Sequence, residues 1–334
     1  MNGSGAPPGP ILVPPPLGAL EPLAQPPTFS VVITAYEAAG TIADAVRSAL
    51  DQEYPAHEVI VVDDGSKDGL AAALKPFADR IRVVSKENGG GASARNAGVA
   101  ACEGEFMAIL DADDRFHRRR LRALADLAMA RPDLDLITTD SRFVVDGKPV
   151  GRFGAHNPFA VVDQQAAIFQ SCFLGGWPAV RIAPLRALGG FDEGMRIAYD
   201  WDCWLRLLLA GSRAGLADEP LYDYVLHSGS LASSRVASLW ERVKLLSKAT
   251  GTGSLSPEQR DLLAAAIRHR RDEAVREEVG AMLAGTADRG RLRQLTRLGD
   301  IGLRTRALAA LALAAPPLAR RLAPARPPVE KRFA

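Results

Sequence analysis

The sequence is poor in cysteine: its 334 residues include three, at positions 102, 172 and 203. Their odd number and wide spacing, with no Cys-x-x-Cys pair, argue against a disulfide framework and against a cysteine-based zinc site. Free thiols are typical of a reducing compartment, and we therefore expect the protein to be cytoplasmic.

Basic residues are missing from the first 27 positions, which are crowded with proline and glycine. A secretory signal needs a basic start and a continuous apolar stretch, so we expect none here. Long apolar runs are also missing. The longest candidate, residues 307–315, ends at a Pro-Pro pair and is much shorter than the roughly 18 residues of a spanning helix. We predict a disordered, partly polyproline arm over residues 1–27.

Short β-branched runs alternate with helical patterns from residue 28 onward. This alternation predicts an α/β fold, with a mostly parallel central sheet covered by helices on both faces, followed by a C-terminal helical region. Ligands of such sheets bind outside the carboxyl ends of the strands. The predicted strands cover residues 29–33, 58–62, 81–84, 106–110 and 134–138. We also predict a helix from Leu70 to Asp79, a hairpin over residues 142–153 that turns at Asp146-Gly147, and a helix that starts with a capping box at Ser256 and Gln259. We divide the chain into the arm of residues 1–27, a sheet domain of residues 28–235 and a basic helical region of residues 236–334.

Three carboxylates within four residues, Asp111, Asp113 and Asp114, directly follow the apolar run of residues 106–110. They repel one another unless a cation or a network of hydrogen-bond donors compensates their charge. In an extended segment Asp111 and Asp113 point to the same side. Hard oxygen ligands in this arrangement suit Mg²⁺ or Mn²⁺ carrying a diphosphate. The alternative is a solvated acidic turn, which the position at a strand end disfavours.

Two further motifs belong to the same edge of the predicted sheet. Asp64 follows the second strand, where its carboxylate could accept the imide N–H of uracil or thymine or bond a ribose hydroxyl; capping the next helix is an equally good role. The glycine-rich segment from Asn88 leads into a helix, which lets backbone N–H groups approach an anion. Arg95 in that segment could neutralise a phosphate. We place the end of the helix at Gly98.

Taken in order, these motifs resemble those of family 2 glycosyltransferases, which have the GT-A fold. The matching segments are Thr34-Ala-Tyr36, Asp63-Asp64-Gly-Ser, Asn88-Gly-Gly with Arg95-Asn-Ala-Gly, and Asp111-Ala-Asp-Asp. The resemblance covers about residues 28–231, and the combination is highly specific. It implies base contacts from Thr34, Tyr36 and Asp64; base, ribose and diphosphate contacts from Asn88, Gly89 and Arg95; and a metal- and ribose-binding pair in Asp111 and Asp113, with Asp114 beside it.

The resemblance also implies a general base. In the family this is the aspartate of a Glu-Asp pair, which matches Asp200, although Tyr199 occupies the glutamate position. Asp202 is the alternative, at the second acidic position of the family's helix. An acceptor hydroxyl must lose a proton as it attacks the anomeric carbon, so a carboxylate is needed here. Further on, Val225 replaces the family's arginine, and His227 matches a metal or diphosphate ligand.

By this resemblance the expected activity is inverting transfer of a sugar from a nucleotide-sugar donor to a hydroxyl of a saccharide or lipid-linked acceptor. The expected cofactor is Mn²⁺ or Mg²⁺. A UDP-sugar is favoured as donor over a dTDP-sugar, and GDP-mannose is the second choice. The chain has no Gln-x-x-Arg-Trp motif of the kind found in processive synthases. We therefore expect transfer of one or a few sugars, in the synthesis of cell-envelope polysaccharide or glycolipid.

Other nucleotide-linked functions fit less well. A sugar nucleotidyltransferase needs a glycine-rich loop with Arg and Lys after the first strand, and residues 34–40 offer none. A dehalogenase-type phosphatase carries its Asp-x-Asp pair after the first strand, not the fourth. A non-enzymatic nucleotide-sugar-binding module stays open, because metal-dependent turnover is what separates it from the enzyme.

The C-terminal region is strongly basic. Residues 289–334 carry a net charge of +9, so the remainder of the chain carries −7. This asymmetry favours peripheral contact with an anionic membrane, with leucines and alanines inserted at the interface. The alternatives are packing on the catalytic domain and a dimer contact. Nucleic-acid binding is not expected, because Phe333 is the tail's one aromatic residue.

Overall fold

The computed structural model describes residues 9–226, 235–251, 255–287, 289–297, 299 and 301–322. Contacts between residues divide the chain into two compact units after residue 227. This division lies eight residues before the boundary predicted from the sequence.

The first unit is built on one sheet, whose strands run in the order β1-β10-β7-β9-β5-β2-β3-β4 with β6 paired to β10 and β8 to β7. The β2–β3, β2–β5, β3–β4 and β7–β10 pairs are parallel, whereas β9 is antiparallel to β5 and β7. The pairs β1–β10, β6–β10 and β7–β8 are also antiparallel. The sheet is therefore mixed, with the predicted parallel pairing among β2, β3, β4 and β5 and between β7 and β10. Its strands are β1 (Ile11–Leu12), β2 (Phe29–Ala35), β3 (Glu58–Asp63), β4 (Arg82–Ser85), β5 (Phe106–Asp111), β6 (Arg115–Phe116), β7 (Leu136–Val145), β8 (Lys148–Arg152), β9 (Ala179–Arg181) and β10 (Ala214–Val225).

The helices of this unit cover the sheet with apolar side chains. In the first of them, the buried positions include Ile42, Ala45 and Val46, which repeat at the spacing of one helix face. The helix predicted from Leu70 to Asp79 is shorter, because a 3₁₀ turn containing Pro76 replaces its second half. The helices are α1 (Ile42–Leu50), α2 (Leu70–Leu74), α3 (Gly91–Ala101), α4 (Arg120–Ala130), α5 (Phe153–His156), α6 (Gln164–Gln170), α7 (Ile182–Ala187) and α8 (Tyr199–Leu209).

Gly98 lies inside α3, so the prediction that it ends this helix was wrong. A Cβ atom at Gly98 would lie 2.4 Å from Cγ1 of Val32 on β2. Glycine is needed here because it lets the helix approach the sheet closely. The same approach brings the side chains of α3 to the carboxyl end of the central strands.

The prediction of a disordered arm is wrong for the stretch around β1. Ile11 and Leu12 form β1 and pair antiparallel with β10, and Nη1 of Arg131 donates a 2.6 Å hydrogen bond to the carbonyl of Pro14. β10 and Arg131 therefore supply hydrogen-bond partners for backbone groups of this proline-rich segment. Residues 1–8 lie outside the described part of the chain.

The second unit is helical in its described residues, as predicted. Ser256 and Gln259 form a capping box at the start of its longest helix, which the sequence signature had indicated. No described helix is both long and apolar enough to cross a bilayer. The helices are α9 (Arg235–Ala249), α10 (Pro257–Leu283), α11 (Arg289–Leu295), α12 (Leu303–Ala314) and α13 (Pro316–Leu322).

Apolar side chains of the basic tail are buried inside this second unit. Leu292, Ala309, Ala312 and Ala319 form one core cluster with residues of α10 such as Val279. These side chains are therefore not available for insertion at a membrane interface. The prediction that leucines and alanines insert into a membrane is therefore wrong at these positions. The prediction that the positive charge of the tail attracts it to an anionic membrane is not affected.

Candidate active site

The central strands end in polar side chains at one edge of the sheet. Thr34 of β2 and Asp111 of β5 are register partners, and the Thr34 hydroxyl donates a 3.3 Å hydrogen bond to Oδ1 of Asp111. The three residues before each of them, 31–33 in β2 and 108–110 in β5, are buried and apolar. The polar positions that follow therefore lie together where the strands leave the core, as predicted for ligand sites in such sheets.

Arg95 of α3 reaches this edge from the helix layer, and its side chain is 2% exposed. Its Nη2 atom donates to both carboxylate oxygens of Asp111, at 3.2 and 3.4 Å. The rings of Tyr199 and Phe191 lie 4.9 and 5.6 Å from its guanidinium carbon. Burial alone would lower the pKa of Arg95, but Tyr199, Asp111 and Asp200 raise it. Arg95 is therefore held as a fixed positive charge.

Asp200 lies in the first turn of α8 and faces the same place. A Cβ atom on Gly176 would be 2.9 Å from Oδ2 of Asp200 and 3.9 Å from Nη2 of Arg95. Its other oxygen accepts a 2.8 Å hydrogen bond from the backbone N–H of Trp201. Burial raises the pKa of Asp200, the charge of Arg95 opposes this rise, and Asp111 adds to it. A carboxylate with a raised pKa is suited to accept a proton.

Asp202, the alternative base, has different surroundings. It is 1% exposed, and its Oδ2 accepts a 2.8 Å hydrogen bond from Nε of Arg206 on the same helix. Arg206 also donates to the carbonyl of Gly190. This carboxylate is therefore engaged in holding α8 to the preceding loop.

The acidic turn after β5 is fastened to β10 by its last carboxylate. Asp114 is buried; its Oδ2 accepts a 2.7 Å hydrogen bond from the Tyr222 hydroxyl and its Oδ1 a 2.8 Å bond from the Val225 N–H. The backbone N–H of Asp111 donates to the same Tyr222 hydroxyl. Burial raises the pKa of Asp114, and the charges of Asp111 and Asp113 raise it further. The turn thus concentrates negative charge, with Asp111 and Asp113 on its partly exposed side.

The donor set of this turn suits a hard divalent cation. Asp111 and Asp113 offer carboxylate oxygens, the ligands that Mg²⁺ and Mn²⁺ prefer. Within the described residues, no three His, Cys, Asp or Glu side chains are grouped to hold an ion by themselves. An ion here would therefore complete its shell with phosphate oxygens and water, as Mg²⁺ commonly does. His227, the third predicted ligand, lies outside the described residues.

The carboxylate of Asp64 is occupied by the glycine-rich loop. It accepts hydrogen bonds from the N–H groups of Gly89 (3.0 Å) and Gly90 (2.8 Å) and from Nζ of Lys86 (2.7 Å). The Asn88 side chain donates to the Asp64 carbonyl at 3.0 Å. Asp64 therefore anchors the loop that precedes α3, a role that neither the base-contact prediction nor the helix-cap alternative included.

Tyr36 is presented to solvent by two loops that are tied together. The N–H of Glu37 donates to Oγ of Ser66 at 3.0 Å, and the N–H of Lys67 donates to the Glu37 carboxylate at 2.7 Å. A third bond runs from the N–H of Ala39 to Asp68 at 2.7 Å. The Tyr36 side chain, 56% exposed, is therefore available for stacking on a planar ring.

Known proteins resemble this chain in sequence. The family model for glycosyl transferase family 2 matches residues 30–169. A Bacillus subtilis protein named for teichuronic acid biosynthesis and glycosyl transfer is 31% identical over 224 residues, which cover 65% of this chain and 85% of that protein. The succinoglycan biosynthesis protein ExoO of Rhizobium meliloti is 31% identical over 313 residues, covering 85% of this chain and 88% of the relative. The chain belongs to glycosyltransferase family 2.

Solved structures share the fold of this glycosyltransferase. S. aureus TarS 1–349 in complex with UDP-GlcNAc matches with a TM-score of 0.61 and 18% identity, covering 88% of this chain and 89% of that one. A mannosyltransferase from Pyrobaculum calidifontis, in complex with GDP-Man and Mn²⁺, matches with a TM-score of 0.59 and 22% identity, over 92% and 86% of the two chains. Identities this low establish the fold alone, and the expected GT-A fold is confirmed.

Three residues of the site in this family 2 enzyme were not predicted from the sequence. Tyr222 joins Asp111 to Asp114 through its hydroxyl, Trp177 stacks on the Tyr222 ring at 5.0 Å, and Gly176 leaves space for Asp200. The alternation in Tyr222-Asp-Tyr224 could have indicated two aromatic side chains on one face of a strand. Nothing in the sequence pattern indicated Gly176.

Proposed function

We propose that this glycosyltransferase transfers a sugar from a UDP-sugar to an acceptor hydroxyl, with inversion at the anomeric carbon and with Mn²⁺ or Mg²⁺ bound at Asp111 and Asp113. The observation that carries the proposal is that Asp111, Arg95 and Asp200 lie together at the carboxyl ends of the central strands. A cation site, a fixed positive charge and a proton acceptor are the three parts that such a transfer needs.

Recognition of the nucleotide is assigned to the loops after β2 and β3. Tyr36 offers an exposed ring for the base and Thr34 a hydroxyl beside Asp111. Because Asp64 already binds three donors, we assign its carboxylate to shaping the loop of Asn88 and Gly89, whose backbone then meets the nucleotide. UDP is the first choice, dTDP the next and GDP the runner-up.

Asp111 and Asp113 are the residues that would hold the divalent cation. When bound, the ion supplies positive charge against the diphosphate leaving group. Arg95 adds a second positive charge at a fixed position, which stabilises negative charge as it develops on the departing nucleotide.

Asp200 is assigned the proton of the acceptor hydroxyl. Its raised pKa makes it a stronger base than an ordinary aspartate, while Arg95 beside it keeps part of the population ionised. As the hydroxyl oxygen forms its bond to the anomeric carbon, the bond to the diphosphate oxygen breaks and the proton passes to Oδ of Asp200. A single in-line displacement of this kind inverts the configuration.

The acceptor is proposed to be a saccharide or a lipid-linked saccharide. The relatives named for teichuronic acid and succinoglycan biosynthesis support this class. With no processive motif in the sequence, we propose non-processive addition on the cytoplasmic side of the cell envelope. A non-enzymatic module that binds nucleotide-sugars stays the alternative until turnover is measured.

Metal-dependent nucleotide release tests the proposal. Purified chain is incubated with UDP-, dTDP- and GDP-sugars, with chelator and then with Mn²⁺ added back. We expect release from a UDP-sugar that needs the metal, and a β-linked product by NMR when the donor is α-linked. Release from every donor at the level of an enzyme-free control would contradict transferase activity, and a retained α linkage would contradict inversion.

The basic tail is proposed to bring the enzyme to anionic membrane surfaces by charge. Deleting the tail would remove core residues such as Leu292, so exposed arginines are the better target. Changing Arg293, Arg297 and Arg304 to Glu reverses charge at exposed positions. We expect loss of sedimentation with anionic vesicles at low salt and unchanged nucleotide release. Equal sedimentation of the variant and the wild type would contradict a membrane role.

A further inference from the structure

Arg95 has hydrogen-bond donors that the protein leaves unused. Its Nη2 atom is bonded to Asp111, but among the described residues no group accepts a hydrogen bond from its buried Nε and Nη1 atoms. A buried guanidinium without acceptors is costly. In an enzyme site, such a cost points to donors kept for a ligand.

Aromatic rings, in place of acceptors, pack on this guanidinium. Tyr199 lies 4.9 Å from the guanidinium carbon and Phe191 lies 5.6 Å from it, while the two rings meet edge to face at 6.3 Å. An aromatic face attracts a cation without taking its N–H groups. A carboxylate at position 199 would instead pair with them.

We infer that Tyr199 is a positioning residue that holds the Arg95 guanidinium through its ring, and so keeps Nε and Nη1 free for the diphosphate of the donor. The inference rests on the proposed function and extends it. It assigns Nε and Nη1 of Arg95 to the phosphates, and it gives Tyr199 the role of keeping both donors unoccupied.

A contact with Gly91 fixes the Tyr199 ring. A Cβ atom at Gly91 would lie 2.4 Å from the Tyr199 hydroxyl oxygen and 2.7 Å from Cζ. Gly91 is the first residue of α3 and Arg95 is one turn further on, so the two lie on the same helix face. The ring therefore spans one turn of α3, and glycine at position 91 is what gives it room.

Three substitutions of Tyr199 test the inference by calorimetry with Mn²⁺ and whichever of UDP, dTDP and GDP the wild type binds most tightly. Tyr199→Phe keeps the ring and should retain affinity. Tyr199→Leu removes the ring and should weaken nucleoside diphosphate binding about tenfold, which corresponds to about 1.4 kcal/mol. Tyr199→Glu should weaken it at least as much, because its carboxylate takes the Arg95 donors.

The free nucleoside and a distant tyrosine serve as controls. Affinity for the nucleoside without phosphates should be equal in the wild type and in Tyr199→Leu. The Tyr54 ring also packs on an arginine, at 5.8 Å from the guanidinium carbon of Arg122, but this pair lies away from the acidic turn. Tyr54→Leu should therefore not change nucleotide affinity.

The outcomes separate the inference from the proposed function. Equal diphosphate affinity in the wild type, Tyr199→Leu and Tyr199→Glu would overturn the inference alone. An equal loss of nucleoside and diphosphate binding would also overturn it, because the effect would then not lie at the phosphates. Failure of the wild type to bind any of the three nucleotides would contradict the proposed function itself and the inference with it.

Discussion

Two strands on either side of β2 end in aspartates, and the two ends differ in what surrounds their charge. After β3, the carboxylate of Asp64 is closed off by two backbone N–H groups and Lys86. After β5, Asp111 pairs with Arg95 but lies in one turn with Asp113, and the charges of both raise the pKa of buried Asp114. An apolar strand followed by aspartates therefore has two roles, and charge compensation distinguishes them. The compensated end anchors a loop, and the end with excess charge is suited to a cation.

The largest effect is expected where a carboxylate acts on the substrate rather than on the fold. Asp200→Asn keeps the shape of the side chain but loses the basic lone pair, so turnover should fall by a factor of about 10²–10⁴ while nucleotide affinity changes little. Asp202→Asn is the matched control on the same helix. It should lower the free energy of unfolding, because Arg206 loses its partner, and leave turnover near that of the wild type. The reverse pattern of turnover would move the base to Asp202.

The anchor after β3 should respond in the opposite way. Asp64→Asn removes the charge that two N–H groups and Lys86 share, which should cost roughly 1.5–3 kcal/mol of unfolding free energy. A loosened loop should raise KM for the donor more than it lowers kcat. Urea unfolding and initial rates measure the two effects. A loss of kcat with unchanged stability would place Asp64 in the chemistry and end the contrast between the two strand ends.

Tyr222→Phe tests how the acidic turn is held. The change removes the hydroxyl that donates to buried Asp114 and accepts from the Asp111 N–H, and should cost roughly 1–3 kcal/mol of stability. Tyr54→Phe is a control that loses a 2.6 Å hydrogen bond to the Pro27 carbonyl outside the site. Tyr222→Phe should also reduce the stimulation of nucleotide release by added Mn²⁺, whereas Tyr54→Phe should leave this stimulation unchanged. An equal effect of both variants on metal dependence would contradict the bridging role.

The smallest expected effect is on the pH profile of kcat. Burial and Asp111 raise the pKa of Asp200 against the charge of Arg95, and a general base is inactive when protonated. Activity should therefore fall with decreasing pH at a value above the ordinary aspartate pKa of about 3.9. A profile of kcat on the acid side, compared with that of Asp202→Asn, measures this. An acid limb at or below the ordinary value would contradict the buried base.

Local sequence patterns predicted the fold well where one or two residues determine the backbone conformation. The turn at Asp146-Gly147 needs two residues with positive φ, and both have it, at 49° and 74°. The strand ends that meet at the sheet edge also follow from the alternation of strands and helices. In the site, the family resemblance supplied Asp111, Arg95 and Asp200, which the structure brings together.

What the sequence could not supply depends on contacts between distant segments. Gly98 resembles a helix end, yet its role comes from Val32, 66 positions away in sequence. Asp64 resembles a ligand, yet the loop of Gly89 and Gly90 occupies it. The pairing of Ile11 with β10 is equally non-local, because composition alone favoured disorder. Such facts require the register of the whole sheet.

A matched pair of variants at the two strand ends tests the account most directly. Metal-dependent nucleotide release and urea unfolding are measured for the wild type, Asp113→Asn and Asp64→Asn. Asp113→Asn should lose most of its turnover, since removing a metal ligand costs several kcal/mol of transition-state stabilisation. Asp64→Asn should lose stability and keep kcat. Full turnover of Asp113→Asn in the presence of chelator would contradict the account.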